Sequence, residues 1–323
     1  MLGWGGYDLP QLYPQYVSKH GGLFRYEAWR SEEDGIQRLA EGYPADVVFP
    51  CSYKLNEWHA TGRITHLDTS RIDNWDEILP RLKQLDGAIR DGKPVWVPIE
   101  WGQASIVFRT DLAPEYVHNE TWSILLDKKY TGRVATFDRG VDIGVVAGLL
   151  AGIPDVRDYT DAEHVAKTSS TLQKLLGQVR FVSNDPAPVE RALAAGEIVA
   201  ATAWNESLAR LKQQDLPVKF MNPREGAVTW VCGLSIVQGT SHLDKVYDVI
   251  NAMLSRASRA WAIEEFGYGA ATREAFAAVD ARLLAARGLS KNPEKLLQGA
   301  IFQAEIRGAA AFQELFEQAA GGF

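Results

Sequence analysis

Short, continuous apolar runs alternate along this chain with segments of helical periodicity, and that alternation limits the fold more than any other feature. Residues 46–50 and 198–203 are short, mostly apolar runs, with Asp46 and Thr202 their polar members. Such runs form strands covered on both faces. Residues 23–28, 95–101, 104–108, 133–137, 178–182, 218–221 and 233–237 also read as strands. Between them lie helical patterns at 8–20, 31–39, 53–60, 74–85, 143–150, 161–176, 188–195 and 206–213. The longest spans 243–266, with Val246, Ile250, Met253 and Leu254 on one face. Ser31 ahead of Glu32-Glu33-Asp34 predicts an N-cap followed by acids in the first turn. Alternating strands and helices predict an α/β fold with parallel-rich sheets flanked by helices. A chain of 323 residues exceeds one ordinary core and suits two lobes. No Pro/Gly-rich linker separates them, so the chain is expected to cross between lobes more than once.

Five loops share one composition, an aromatic residue beside a glycine or a small polar residue. They are Trp4-Gly5-Gly6-Tyr7, Cys51-Ser52-Tyr53, Trp101-Gly102-Gln103, Trp204-Asn205-Glu206-Ser207 and Trp230-Val231-Cys232-Gly233. Each ends or follows a strand, which is where α/β folds place ligands. Several ring faces with few carboxylates suit a small organic cation. The net charge of −7 agrees with a cationic partner, and the lack of a basic block argues against nucleic acid. Of the ten tryptophans, Trp29, Trp58, Trp75, Trp96, Trp122 and Trp261 read as packing residues.

No stretch approaches the roughly 18 apolar residues that cross a bilayer. The opening Met1-Leu2-Gly3-Trp4 has neither the basic nor the apolar region of a signal peptide. Only three residues precede the first aromatic loop, so the first strand reads as cut short. The expectation is a mature exported protein whose targeting segment has been replaced by a start Met. The six histidines form no metal-spaced pair, and the two cysteines fit no metal pattern. No metal and no cofactor are expected. Cys51 and Cys232 read most simply as two small buried thiols. A disulfide would need their Cα atoms within about 7 Å and would suit an oxidising compartment.

Taken in order, these motifs resemble the polyamine-type, spermidine/putrescine-binding solute receptors of bacterial ABC transporters. The resemblance runs through Trp4-Gly5-Gly6-Tyr7, residues 46–53, Pro98-Ile99-Glu100-Trp101-Gly102 and Ser183-Asn184-Asp185. It continues through Ala203-Trp204-Asn205, Pro223-Arg224-Glu225-Gly226, Trp230 and Phe266-Gly267-Tyr268. It implies a two-lobed type II periplasmic-binding fold. Lobe one would hold 1–108 plus 232–278, and lobe two 109–231 plus 279–323. Two hinge strands would cross near 105–110 and 229–234. It further implies a periplasmic monomer that closes over its solute and docks on permease subunits. Carried over residue by residue, the ligand contacts are Trp4, Tyr7, Ser52, Tyr53, Trp204, Trp230, Tyr268 and Gln303, and Trp101 joins them as a candidate from the shared composition of the five loops. Polyamine binders carry an acid two places after the crossover Trp, where this chain has Cys232. They carry two acids three residues apart after the first strand of lobe two. Here Asp138 matches the first, the second falls at Val141, and Asp142 is adjacent. These departures predict a ligand with a single cationic end, and Arg139 would partner the carboxylate of a zwitterion.

Plainer roles compete. Asp138 and Asp142 also fit helix capping, Glu206 fits an acid that opens a helix, and Glu100 reads as structural. An enzyme using a cysteine in the cleft is the alternative class, with Cys51-Ser52-Tyr53 as its nucleophile loop. No Gly-x-Ser-x-Gly or phosphate loop accompanies it, so the expectation is a binder and not an enzyme. A chemoreceptor-coupled sensor would share the same sequence.

Overall fold

The computed structural model describes residues 1–138, 140–308, 310, 313, 314 and 317. It divides into two compact units. The first holds Met1–Gly102, Thr229–Gln298 and Phe302–Ala304. The second holds Gln103–Val228, Gly299–Ile301 and the described residues from Glu305 onward. The chain passes from one to the other within two long strands, Val97–Arg109 and Val228–Ile236. Residues 95–101 and 104–108, read separately in the sequence, are therefore one strand, buried from Val97 to Phe108. Gly102 does not interrupt it. A Cβ there would collide with the Trp230 indole, so glycine makes room for that ring.

In the first unit, Leu2–Gly3 runs parallel to both Glu27–Ala28 and Val47–Val48. Val47–Val48 pairs antiparallel with Val228–Ile236. The strand expected over 23–28 is only Glu27–Ala28. Phe24 instead packs edge-on against Tyr13 and Tyr16. The helix expected over 8–20 begins at Pro14, after a 3-10 turn at Pro10–Leu12. The helix expected over 74–85 is reduced to a 3-10 turn, Pro80–Gln84. Leu79 precedes a proline and is forced extended, with ψ 123°. Ser31 caps Glu32–Ala40 by accepting from the Asp34 N–H, as its sequence predicts. The helix expected over 243–266 is two, Leu243–Leu254 and Arg256–Phe266. Ser255 is extended between them, and its hydroxyl accepts from the Ser258 N–H to start the second.

The helices Ala281–Ala286 and Pro293–Gln298, expected in the second lobe, belong to the first unit. Long basic side chains fasten them there. Arg287 donates to the Glu264 carbonyl, Lys291 to the Ala277 carbonyl, and Arg81 to the carbonyls of Leu297 and Gln298.

In the second unit, Ala200–Trp204 pairs antiparallel with residues 104–108 of the long strand. Val134–Thr136 lies between it and Val179–Val182, parallel to both. Val218–Phe220 pairs with the far end of the long strand. Phe108, Trp122, Tyr130, Ile143, Val146 and Leu175 fill one core cluster, and Val107, Ala201, Leu193 and Leu208 a second. Helices Ala162–Leu176 and Pro186–Ala194 start on the carboxylates of Asp161 and Asp185. These caps turn apolar helical faces onto the sheet at fixed entry points.

Candidate functional site

The first unit carries a group of rings. Trp230 is half-buried over Gly102, and Tyr268 meets it edge-on at 4.8 Å and 87°. Phe266 lies 6.0 Å from Tyr268, and Trp261 and Tyr7 lie 5.4 and 5.7 Å from Phe266. Gly267, at φ 75°, ends the helix between Phe266 and Tyr268 by a left-handed step that glycine takes cheaply. Trp230, Tyr268 and Tyr7 are legible in the sequence. Phe266 and Trp261 are additions, and Trp261 read as packing because its helix position gave no other sign.

Two of the expected contacts are committed internally. The Tyr7 hydroxyl donates to Glu100, whose other oxygen accepts from Arg259 Nη1 at 2.8 Å. Arg259 and Glu100 are both buried. Burial pushes the Tyr7 pKa upward, so the hydroxyl stays protonated and donates. Trp101 is wholly buried, bonds the Ala270 carbonyl through Nε1 at 2.9 Å and stacks on Phe276. It is a core residue and not a contact. Along one continuous strand Trp101 and Gly102 face opposite sides, so the side that accommodates Trp230 is not the side of Trp101.

The loop after Val47–Val48 is held at several points. Cys51 and Cys232 sit opposite each other in an antiparallel bridge and form a disulfide. The expectation of two free thiols is therefore corrected, and Cys232 can meet a ligand only as a half-cystine. As a buried half-cystine it has no thiol to offer. Ser52 Oγ donates to the Gln303 carbonyl at 3.2 Å, and the Gln303 N–H donates to Thr229 at 2.8 Å. Ser52 and Gln303, some 251 residues apart, are thus brought together. Trp4 is half-buried and meets Trp29 edge-on at 5.4 Å, and Trp29 in turn lies 5.2 Å from Trp58. Glu32 Oε1 accepts from the Cys51 N–H and Trp58 Nε1, both at 2.9 Å, and the Tyr53 side chain lies beside the carboxyl. Burial outweighs these donors and pushes its pKa up to about 7. Nothing in the sequence separated Glu32 from its exposed neighbour Glu33.

The second unit carries candidate carboxylates and the Trp204 ring. Trp204 ends Ala200–Trp204 and precedes the helix Asn205–Lys212. Its half-buried ring lies 5.1 Å from Phe137, tilted by 34°. Asp138 follows Phe137 and is exposed. Asn184 accepts from its N–H at 3.0 Å and donates to its carbonyl at 2.9 Å, which fixes the backbone that carries the carboxylate. Asp142 is half-buried in the first turn of Gly140–Leu150. Arg139 and the Val141 side chain lie outside the described residues. Glu206 opens Asn205–Lys212, and burial raises its pKa against the opposing pull of Arg210. Trp204, Asp138, Asp142 and Glu206 all belong to this unit, and every other expected contact belongs to the first.

Among the described residues, no helix is long and apolar enough to cross a membrane. No three His, Cys, Asp or Glu residues gather there to hold a metal. The spermidine/putrescine-binding periplasmic protein of Escherichia coli K12 is 24% identical over 269 residues, 82% of this chain and 75% of its own. The putrescine/cadaverine-binding protein of Pseudomonas aeruginosa is 21% identical over 281 residues, 83% and 78% of the two chains. The spermidine/putrescine ABC transporter substrate-binding protein of Streptococcus pneumoniae superposes with a TM-score of 0.82 at 18% identity, covering 98% and 97%. At that identity the superposition carries the fold, an α/β periplasmic-binding fold. The family profile for bacterial extracellular solute-binding proteins matches residues 26–286, and this chain is a member of that family.

Proposed function

We propose that the protein is the periplasmic receptor of an ABC importer and captures a small organic cation. The observation that carries this reading is the division of chemistry between the units. Asp138, Asp142 and Glu206 accompany Trp204 in one, while Trp230, Tyr268 and Phe266 form a ring cluster in the other. A cation would place its charge among the carboxylates and its aliphatic body on Trp204, with the ring cluster covering the rest. The names of its spermidine-, putrescine- and cadaverine-binding relatives support this class. Glu100 is already paired with Arg259, and Cys232 is bonded to Cys51. Both facts favour a ligand with one cationic end, since a second buried ammonium would lack a partner.

A ligand touching both units binds best when they close on it, and closure would present the loaded form to permease subunits. Each ring contact contributes about 0.5–2 kcal/mol when desolvated. Three or four of them give about 1.5–8 kcal/mol before ordering costs, so micromolar affinity, about −8 kcal/mol, also needs the charge pairing with the carboxylates. The receptor acts as a monomer and releases its solute unchanged. With Cys51 held in the disulfide, the competing nucleophile loop has no thiolate to use. The experiment is calorimetric titration of the parent and Trp204→Ala with putrescine, choline and γ-aminobutyrate. The substitution should weaken the bound cation by more than tenfold, and unchanged affinity would remove Trp204 from the site.

A further inference from the structure

Glu32 lies on the helix Glu32–Ala40, whose buried positions are Glu32, Gly35 and Leu39. That spacing of three and four is the inward stripe of an amphipathic helix, and apolar residues normally fill it. A carboxylate occupies the first of these positions with only 2% of its surface exposed. Its neighbour Glu33, in the same first turn, is 64% exposed and pairs with Lys54. Burying a carboxylate is unfavourable unless donors meet it. Both hydrogen bonds to Glu32 come from one segment, from the Cys51 N–H and Trp58 Nε1, and the Tyr53 side chain of the same segment lies beside the carboxyl. This segment starts at the disulfide that joins it to the strand bearing Trp230, and it carries Ser52, which bonds Gln303.

We propose that Glu32 is a positioning residue for solute binding: its buried carboxylate sets the backbone at Cys51 and the orientation of Tyr53, and so fixes the ring that Tyr53 offers to the ligand. The inference rests on Tyr53 being a ligand contact. A helix acid that only supported the fold would need no link to that ring. Burial also pushes the Glu32 carboxyl up to about 7, so the anchor changes charge near neutral pH.

The test is a double-mutant cycle on Glu32→Gln and Tyr53→Phe, titrated with putrescine and with choline. Hydrogen–deuterium exchange over residues 50–55 of the unliganded proteins accompanies it. Glutamine keeps the shape and one acceptor, so this variant folds where Glu32→Ala could collapse the segment. Glu32→Gln should weaken the bound cation three- to tenfold and speed exchange at 50–55. It should weaken binding no further when Tyr53 is already Phe. Parental affinity in Glu32→Gln, or an equal loss in both backgrounds, overturns the proposal. If neither probe binds the parent, the solute reading is what fails. Exchange then decides separately: faster exchange in Glu32→Gln supports the anchor, and unchanged exchange overturns it.

Discussion

Glu32→Gln should also change how stability depends on pH, by an amount the structure sets. The carboxyl ionises at 4.5 ordinarily and at about 7 in the fold, where burial outweighs the donors from Trp58 and Cys51, the neighbouring Tyr53 side chain and the attraction of Lys54. The folded chain thus holds this proton more tightly than the unfolded chain does. Linkage then fixes the sign. The contribution of Glu32 is fully favourable below pH 4.5, declines as pH rises towards 7, and stays lost above. At about 1.4 kcal/mol per tenfold in proton affinity, keeping Glu32 ionised at pH 8 costs the fold about 3 kcal/mol. Glutamine cannot ionise and escapes this cost. The variant should melt several degrees above the parent at pH 8, and the gap should shrink or reverse at pH 5. Differential scanning calorimetry across pH 4.5–8 measures it. A gap that stays constant with pH would refute the argument, because Glu32 would not then be titrating in this range. A variant that melts below the parent at pH 8 would mean that the donors outweigh burial.

Three other outcomes follow from the same contacts. Reducing the Cys51–Cys232 disulfide, which spans 181 residues, should lower stability by about 2–4 kcal/mol and weaken solute binding, as read by melting and titration with and without a dithiol reductant. Arg259→Leu leaves Glu100 buried without its cation and should cost about 3–5 kcal/mol, whereas Arg259→Leu combined with Glu100→Gln should recover part of that in urea denaturation. Asp138→Asn should weaken a cationic solute more than its neutral isostere, and equal losses would make Asp138 only a backbone element of the loop held by Asn184.

The fold was legible because both of its periods are local. Mostly apolar runs give buried strands such as Ala200–Trp204, and Ser31 and Asp185 announce their helices. What could not be read locally was decided by distant partners. Ser255 fits a helix interior as well as a cap, and only its bond to the Ser258 N–H parts the two helices. Trp101 looks like the other loop tryptophans until Val97–Arg109 proves continuous and turns it into the core. The disulfide joins residues 181 positions apart, which no spacing reveals. The candidate residues of the second unit were marked by position. Trp204, Asp138, Asp142 and Glu206 stand at strand ends and helix starts, where position alone marks them. The rings of the first unit meet through packing, and so Phe266 was marked only as part of a motif and Trp261 only as packing, while Tyr7 proved committed to Glu100.

The most direct test of solute capture is a thermal-shift panel of putrescine, spermidine, choline, γ-aminobutyrate and basic amino acids, with neutral sugars and dicarboxylates as controls. A ligand that binds only the folded state must raise the melting temperature. A rise of several degrees with a singly charged cation, and none with the controls, is the predicted result. A rise with the controls alone, or with nothing on the panel, would contradict the account.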